Sequence, residues 1–181
     1  METYISLLRG INVGGKNSVS METIRSVYAM LGLDNIQTYV QSGNIVFNSL
    51  RDAEELSVMI SNGIARASGF PVEVILRKYD VWKEMIRHNP FAGRKEINEK
   101  HIYFTLLKRE PKPELLKSIS HQDFLPDEWH YYDETIYLYC PNGYGRTKIN
   151  NNFFERKLKV PATTRNRKTV LKLTELAETS A

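Results

Sequence analysis

Ile36-Gln37-Thr38-Tyr39-Val40-Gln41-Ser42-Gly43-Asn44-Ile45-Val46-Phe47 is the stretch that decides the fold. Two β-rich runs, 36–40 and 44–47, flank Gln41-Ser42-Gly43, and turn-forming residues between such runs make a hairpin. Upstream, Met21, Ile24, Val27, Tyr28 and Leu31 recur at helical spacing, with Ser20 as N-cap and Gly32 just past the end. Before that helix, residues 3–8 read as a buried strand. Downstream, a second helix opens near Asp52 and carries Leu56, Met59, Ile60, Ile64 and Ala67 on one face. Ser68-Gly69-Phe70-Pro71 stops it, Val72–Leu76 is a fourth strand, and Val81–Arg87 a short helix. The order is βαββαβ with a hairpin in the middle, which is the ferredoxin-like plait.

Parity of direction then places the loops. If the first strand runs upward, the segments 10–19, 41–43 and 68–71 all lie at one edge of the sheet. That edge receives the most distinctive local motif, Arg9-Gly10-Ile11-Asn12-Val13-Gly14-Gly15-Lys16-Asn17. Its Gly10-x-x-x-x-Gly15-Lys16 spacing matches a phosphate-binding P-loop. Asn17, however, stands where that motif needs Ser or Thr for Mg²⁺, and the hairpin is the wrong context for a parallel nucleotide-binding sheet. The reading that survives is an anion-friendly strand-to-helix loop, in which backbone N–H groups near Gly14 and Gly15, with Lys16, hold a phosphate or carboxylate. The competing reading is a loop whose glycines only permit positive φ.

Asn89-Pro90-Phe91-Ala92-Gly93-Arg94 opens a linker over 89–100 that separates a subdomain at 1–88 from a second at 101–181. His101–Leu107 is a strand. Pro113–Ile119 is a helix with proline in its first turn. Trp129–Tyr132 and Thr135–Cys140 form a hairpin about Asp133-Glu134. Helical patterns follow at Phe153, Phe154 and Leu158 and at Val170, Leu173, Leu176 and Ala177. The second half therefore reads βαββα plus a terminal helix, and the fold class is α+β with two ferredoxin-like subdomains of antiparallel sheet.

At 181 residues and 41% hydrophobic content the chain can build a sizeable core without staples. Its one cysteine, Cys140, fits a reducing cytosol. The N-terminal apolar run is broken by Arg9 and lacks a basic leader, so no signal peptide is expected. No stretch approaches the ~20 apolar residues of a membrane helix, so the expected protein is cytoplasmic and has no membrane partner. Net charge is +4, but residues 145–172 concentrate Arg146, Lys148, Arg156, Lys157, Lys159, Arg165, Arg167, Lys168 and Lys172 against the single Glu155. A basic segment on a mildly acidic body points to an anionic partner, or else to a solvated face that maintains solubility.

Three further loops carry polar or basic residues. Gln41-Ser42-Gly43-Asn44 offers amide donors and acceptors in fixed geometry, as well as simple turn chemistry. Pro141-Asn142-Gly143-Tyr144-Gly145-Arg146-Thr147-Lys148 is a second glycine-rich basic loop. Thr163-Thr164-Arg165-Asn166-Arg167-Lys168 precedes the last helix and sets cations against its positive dipole end, a conflict that a bound anion or solvent screening would resolve. The candidate ligand-binding set is Arg9, Asn12, Gly14, Gly15, Lys16, Gln41, Ser42, Asn44, Arg146, Lys148, Thr164, Arg165 and Asn166. The expected partner is an anionic small molecule or nucleic acid. No cofactor is assigned. The four histidines have no metal-ligand spacing, and Cys140 reads as core. Asp127, Glu128, Asp133 and Glu134 flank a strand and its hairpin and read as a solvated edge. The four loops contain no carboxylate or histidine to act as general base, so the constellation suits anion recognition better than proton transfer. The alternatives are an enzyme acting on a small anionic substrate by electrostatic positioning, and a structural module in which the loops are only turns.

The stretch Tyr4–Asn17, the hairpin Thr38–Phe47, the loop Pro141–Lys148 and the segment Ala162–Asn166 resemble, in that order, the bacterial family known as domain of unknown function 1697. The resemblance covers almost the whole chain. It implies two ferredoxin-like subdomains in a bacterial cytosolic protein, and implies no activity, ligand or catalytic residue. In that family an aromatic residue often follows the Thr-Thr-Arg-Asn segment. Here Arg167 stands there, so any pocket it borders is expected to be more basic.

Overall fold

A computed structural model describes residues 1–12 and 17–180. The chain divides into two compact units, Met1–Lys83 together with the segment from Lys172 onward, and Glu84–Leu171.

The first unit contains β1 (Glu2–Arg9), α1 (Met21–Met30), β2 (Asp34–Tyr39), β3 (Asn44–Ser49), α2 (Ala53–Ser68) and β4 (Glu73–Lys78). Its sheet order is β2-β3-β1-β4, with every neighbouring pair antiparallel. This is the expected βαββαβ plait. The helix boundaries follow local chemistry. Ser20 Oγ accepts from Thr23 N–H at 3.0 Å, and Asp52 Oδ1 from Glu55 N–H at 2.9 Å. Each satisfies a backbone donor that has no partner within its helix. Gly69 ends α2 in the left-handed region at φ 81°.

On the helix-bearing face, Tyr4, Leu8 and Phe47 meet Ile24, Val27 and Tyr28 of α1 and Leu56, Ile60 and Ile64 of α2. Tyr4 stacks on Phe47, and Tyr28 meets the same ring edge-on. A polar pair, Ser6 Oγ and Tyr28 Oη, is satisfied internally at 2.7 Å. Gly63 lets the two helices approach, because a Cβ there would lie 2.8 Å from Val27 Cγ1.

α3 (Tyr79–Arg87) follows β4 directly and begins two residues before the expected Val81. It spans the division between the units, as does α6 (Arg167–Ser180). The end of α6 is bonded to the first sheet: Gln37 Nε2 donates to Ser180 Oγ at 2.6 Å, and Asn48 Nδ2 to the Ser180 carbonyl at 2.7 Å. Trp82 Nε1 donates to Thr174 Oγ1 at 3.0 Å.

The second unit holds β5 (Ile102–Leu107), α4 (Pro113–Lys117), β6 (Glu128–Tyr132), β7 (Thr135–Tyr139), α5 (Asn151–Leu158) and β8 (Ala162–Asn166). Its sheet order is β6-β7-β5-β8, again all antiparallel. β8 corrects the sequence reading, which has a loop at 163–166. Thr163 and Thr164 are β-branched and suit an edge strand, but the segment carries no apolar alternation to announce one. Pairing with β5, Thr105 opposite Thr164, supplies what the pattern lacks. The second unit is therefore βαββαβ like the first. Its core is built from Leu107, Trp129, Ile136, Leu138, Phe154 and Leu158. Residues 89–100 carry the fully buried Phe91, and Arg94 makes a two-pronged ion pair with Glu128 at 2.9 and 3.4 Å.

Candidate functional site

At the upper edge of the first unit the parity argument holds. β1 ends there, the β2–β3 hairpin turns there and β4 starts there. The loop after β1 is closed on itself, with Asn12 N–H donating to the Asn17 carbonyl at 3.1 Å. Asn12 and Asn17 both take left-handed backbone, φ 54° and 51°, which asparagine tolerates better than most residues. Asn12 Nδ2 donates to the carbonyls of Val19 (2.9 Å) and Gln41 (2.8 Å), while its Oδ1 accepts from Val19 N–H at 2.9 Å. Asn12 thus cinches the loop to the hairpin. Gly43, at φ 73°, is required there, because a Cβ would lie 2.6 Å from Leu8 Cβ. Asn44 is fully buried, and its amide nitrogen donates to the Tyr39 carbonyl and to Ser42 Oγ, each at 3.0 Å. Both asparagines hold the frame from within. Gln41 and Ser42 are exposed on its rim. Arg9 sits half-buried opposite Glu73 in the β1–β4 register, an acidic cross-strand neighbour absent from the sequence-level picture of this loop. Gly14, Gly15 and Lys16 lie outside the described residues.

In the second unit, the loop after β7 meets β8. Tyr144 Oη donates to Thr164 Oγ1 at 3.0 Å and accepts from Asn151 N–H at 2.8 Å. Thr164 Oγ1 also lies 2.7 Å from Thr105 Oγ1 and 3.2 Å from Asn151 Oδ1, so it sits inside a polar network that ties the loop to the sheet. Arg165 folds back on its own strand, donating to Thr163 Oγ1 (2.7 Å) and the Thr164 carbonyl (3.0 Å); desolvation pushes its guanidinium down to about 10, still charged at neutral pH. Asn166 Oδ1 accepts from Thr169 N–H at 2.8 Å and caps α6. Arg167 pairs with Glu99 at 2.9 Å. Of the cations about the start of α6, Arg165 is thus accommodated by its own strand and Arg167 by a neighbouring carboxylate.

Arg146 and Lys148 have a different setting. Thr147 and Ile149 between and after them are buried, which leaves Arg146 and Lys148 exposed on one side. They line a cavity of about 400 Å³ together with Asn142, Asp123, Phe124, Leu125, Pro126 and Asp127. Thr147 ties Asp127 to this loop: its hydroxyl donates to Asp127 Oδ2 at 2.6 Å and accepts from Ile149 N–H at 3.1 Å. Among the described residues, Arg146, Lys148, Asp123 and Asp127 make no ion pair, although all four line one space.

A model for the family described as "protein of unknown function (DUF1697)" matches residues 1–137. The chain belongs to this family. Among solved structures, the conserved bacterial protein SP0830 from Streptococcus pneumoniae is similar to it, with a TM-score of 0.76 and 22% identity over 97% of this chain and 98% of that one. At that identity the likeness speaks to the fold, and it extends beyond residue 137. Among curated proteins, none matches.

This family member has larger cavities elsewhere. One of about 540 Å³ lies at the lower edge of the first sheet, lined in part by Glu2, Asn48, Tyr79 and Asp80. Its carboxylates are already matched by lysines, Glu2 with Lys78 at 3.7 Å and Asp80 with Lys83 at 2.7 Å. Size therefore ranks it above the 142–148 cleft, but unmatched charge favours the cleft, and charge is what recognises an ionic ligand. Among the described residues no group of three or more His, Cys, Asp or Glu side chains is placed to hold a metal. Burial pushes the Cys140 thiol up to about 12, so it is no nucleophile at neutral pH. No described helix is long and apolar enough to cross a membrane. The residues that sequence reasoning misses are Asp123 and Asp127. Asp123 has no local feature that singles it out, and Asp127 reads as part of a solvated strand edge. The signal available is a polar, proline-containing segment without periodicity, close in the chain to a hairpin that ends at the basic loop.

Proposed function

We propose that this protein binds a small anionic metabolite in the cleft of its second unit, with Arg146, Lys148 and Asn142 as the recognising groups. The observation that supports it is the convergence of two cations, neither in an ion pair among the described residues, on one cavity of about 400 Å³. Arginine can take a carboxylate or phosphate in two-pronged fashion, and lysine adds a mobile point charge. Charge-assisted hydrogen bonds contribute about 1.5–3 kcal/mol each, so two of them give about 3–6 kcal/mol before the cost of immobilising the ligand, which corresponds to millimolar or weaker affinity. Ligand pockets span about 300–1,000 Å³, and this one lies at the small end. A single-stranded nucleic acid is the weaker reading. It needs a continuous basic groove with stacking rings, whereas Asp123 and Asp127 line the same cavity and would repel successive phosphates.

Isothermal titration at low ionic strength with inorganic phosphate, acetate and adenosine monophosphate tests the reading. Binding of at least one probe, weakened tenfold or more in Arg146→Ala and in Lys148→Ala, is the expected result. Absence of binding, or equal binding by wild type and Arg146→Ala, refutes it. The upper edge of the first unit is a second reading, supported by the 2.8 Å bond from Asn12 to the Gln41 carbonyl that unites two predicted loops. Probe binding that is lost in Arg9→Ala but kept in Arg146→Ala would favour it.

A further inference from the structure

We infer that the ligand of the 142–148 cleft is a small zwitterion, carrying a protonated amine a few bonds away from its anionic group; the inference rests on the anion-binding reading above. The cleft is lined by charges of both signs, Arg146 and Lys148 together with Asp123 and Asp127. Charges that merely neutralised each other would close into ion pairs. Among the described residues none of the four does so. They leave charges of both signs open to one space that a ligand can occupy.

The geometry of Asp127 sharpens the point. Its Oδ2 is fixed by Thr147 Oγ1 at 2.6 Å, and Thr147 lies in sequence between the two cations. The bond sets one carboxylate beside the backbone that carries both positive groups. Oδ2 has its donor, and no hydrogen bond to Oδ1 occurs among the described residues. A carboxylate anchored on one oxygen is an oriented acceptor for an ammonium group. A purely anionic ligand would satisfy Arg146 and Lys148 but would lie against two carboxylates, an arrangement that electrostatics penalises. A purely cationic one meets the converse penalty. A ligand with both charges meets neither. Phe124, Leu125 and Pro126 line the stretch between Asp123 and Asp127 and offer apolar surface to a short aliphatic spacer. Amino acids and phosphorylated amino alcohols share this chemistry.

Matched probes separate the two levels of the argument. Wild-type protein is titrated with O-phosphoethanolamine against ethyl phosphate, and with β-alanine against propionate. In each pair the anion is retained and the amine removed. The expected result is binding at least tenfold tighter for the amine-bearing member of one pair. Asp123→Asn and Asp127→Asn should bring that ratio towards one while leaving the simple anion bound as well as before or better. In Asp127→Asn the new side-chain amide oxygen still accepts the Thr147 hydroxyl, so the fold is retained, and a circular-dichroism melt verifies it. Arg146→Ala should weaken both members of the pair. If the simple anions bind as tightly as the zwitterions in wild type, or the two amide variants keep the full preference, the zwitterion inference falls and anion binding stands. If no probe binds, both fall.

Discussion

Replacing Thr147 by valine removes one hydroxyl and keeps the shape of the side chain. That hydroxyl donates to Asp127 Oδ2 at 2.6 Å and accepts from the Ile149 N–H at 3.1 Å. Thr147 is buried, and Ile149 is fully so, so water does not reach the orphaned N–H. Loss of a charge-assisted bond costs about 1.5–3 kcal/mol, and an unsatisfied buried donor about 1–3 kcal/mol. Asp127 is not buried, so water replaces part of the first contribution, and valine gains a little from burying a methyl group in place of a hydroxyl. The net expectation is destabilisation of the second unit by about 3 kcal/mol. Thr147→Ser keeps both bonds and should cost less than about 1 kcal/mol. Urea unfolding measures it. Trp129, in the core of the same unit, reports the transition in a Trp82→Phe background. The midpoint should fall without a change in slope. Thr147→Val within about 0.5 kcal/mol of its parent, or Thr147→Ser as damaging as Thr147→Val, would refute the claim that this hydroxyl holds Asp127 against the basic loop.

Two further outcomes follow from the packing. Gly63→Ala gains about 1 kcal/mol of helix propensity, but its Cβ would lie 2.8 Å from Val27 Cγ1, and overpacking of that kind costs about 1–3 kcal/mol. The substitution should therefore be neutral to destabilising in wild type and stabilising in Val27→Ala, with a coupling of about 2 kcal/mol in a double-mutant cycle; coupling below about 0.5 kcal/mol would count against it. Cys140 should resist a thiol-specific disulfide reagent at pH 8 except through unfolding. Because its folded-state value of about 12 lies above the ordinary 9.0, the unfolded chain loses that proton first, so its contribution to stability declines as pH rises from about 9 to about 12. Rapid labelling of folded protein, or a Cys140→Ala variant with the same alkaline loss as wild type, would contradict that.

Much of the fold was legible because its signals are local. The 3.6-residue spacing of Ile24, Val27, Tyr28 and Leu31 marks α1 whatever surrounds it, and Ser20 and Gly32 bound it with hydrogen bonds to their own neighbours. The hairpin at 41–43 declares itself by residue type, and the two-residue turn at Asp133-Glu134 by the β-rich runs on either side of it. Direction along the chain then brought Asn12 within reach of Gln41 without any knowledge of packing. β8 was not legible, since a short edge strand of Thr, Arg and Asn has no pattern distinct from a loop until β5 is beside it. Nor was the acidic part of the cleft, because Asp123 and Arg146 are separated by a whole hairpin and come to line one cavity only when that hairpin is folded.

The sequence by itself determined the two α+β units in outline, most of their element boundaries and which loops share an edge in the first sheet. These depend on periodicity, capping and strand parity, each confined to a few neighbouring residues. Tertiary structure alone decided what the polar residues do. Asn12 and Asn44 brace the loop frame, Asn166 caps α6, Arg167 finds Glu99, and Ser180 closes on Gln37 and Asn48. Asn48 lies 132 residues from its partner Ser180. Hydrogen bonds and ion pairs act over a few ångströms in space, and a chain of residue letters does not say which distant groups come within that range. The same physics brings Arg146 and Lys148 to line one cleft with two carboxylates.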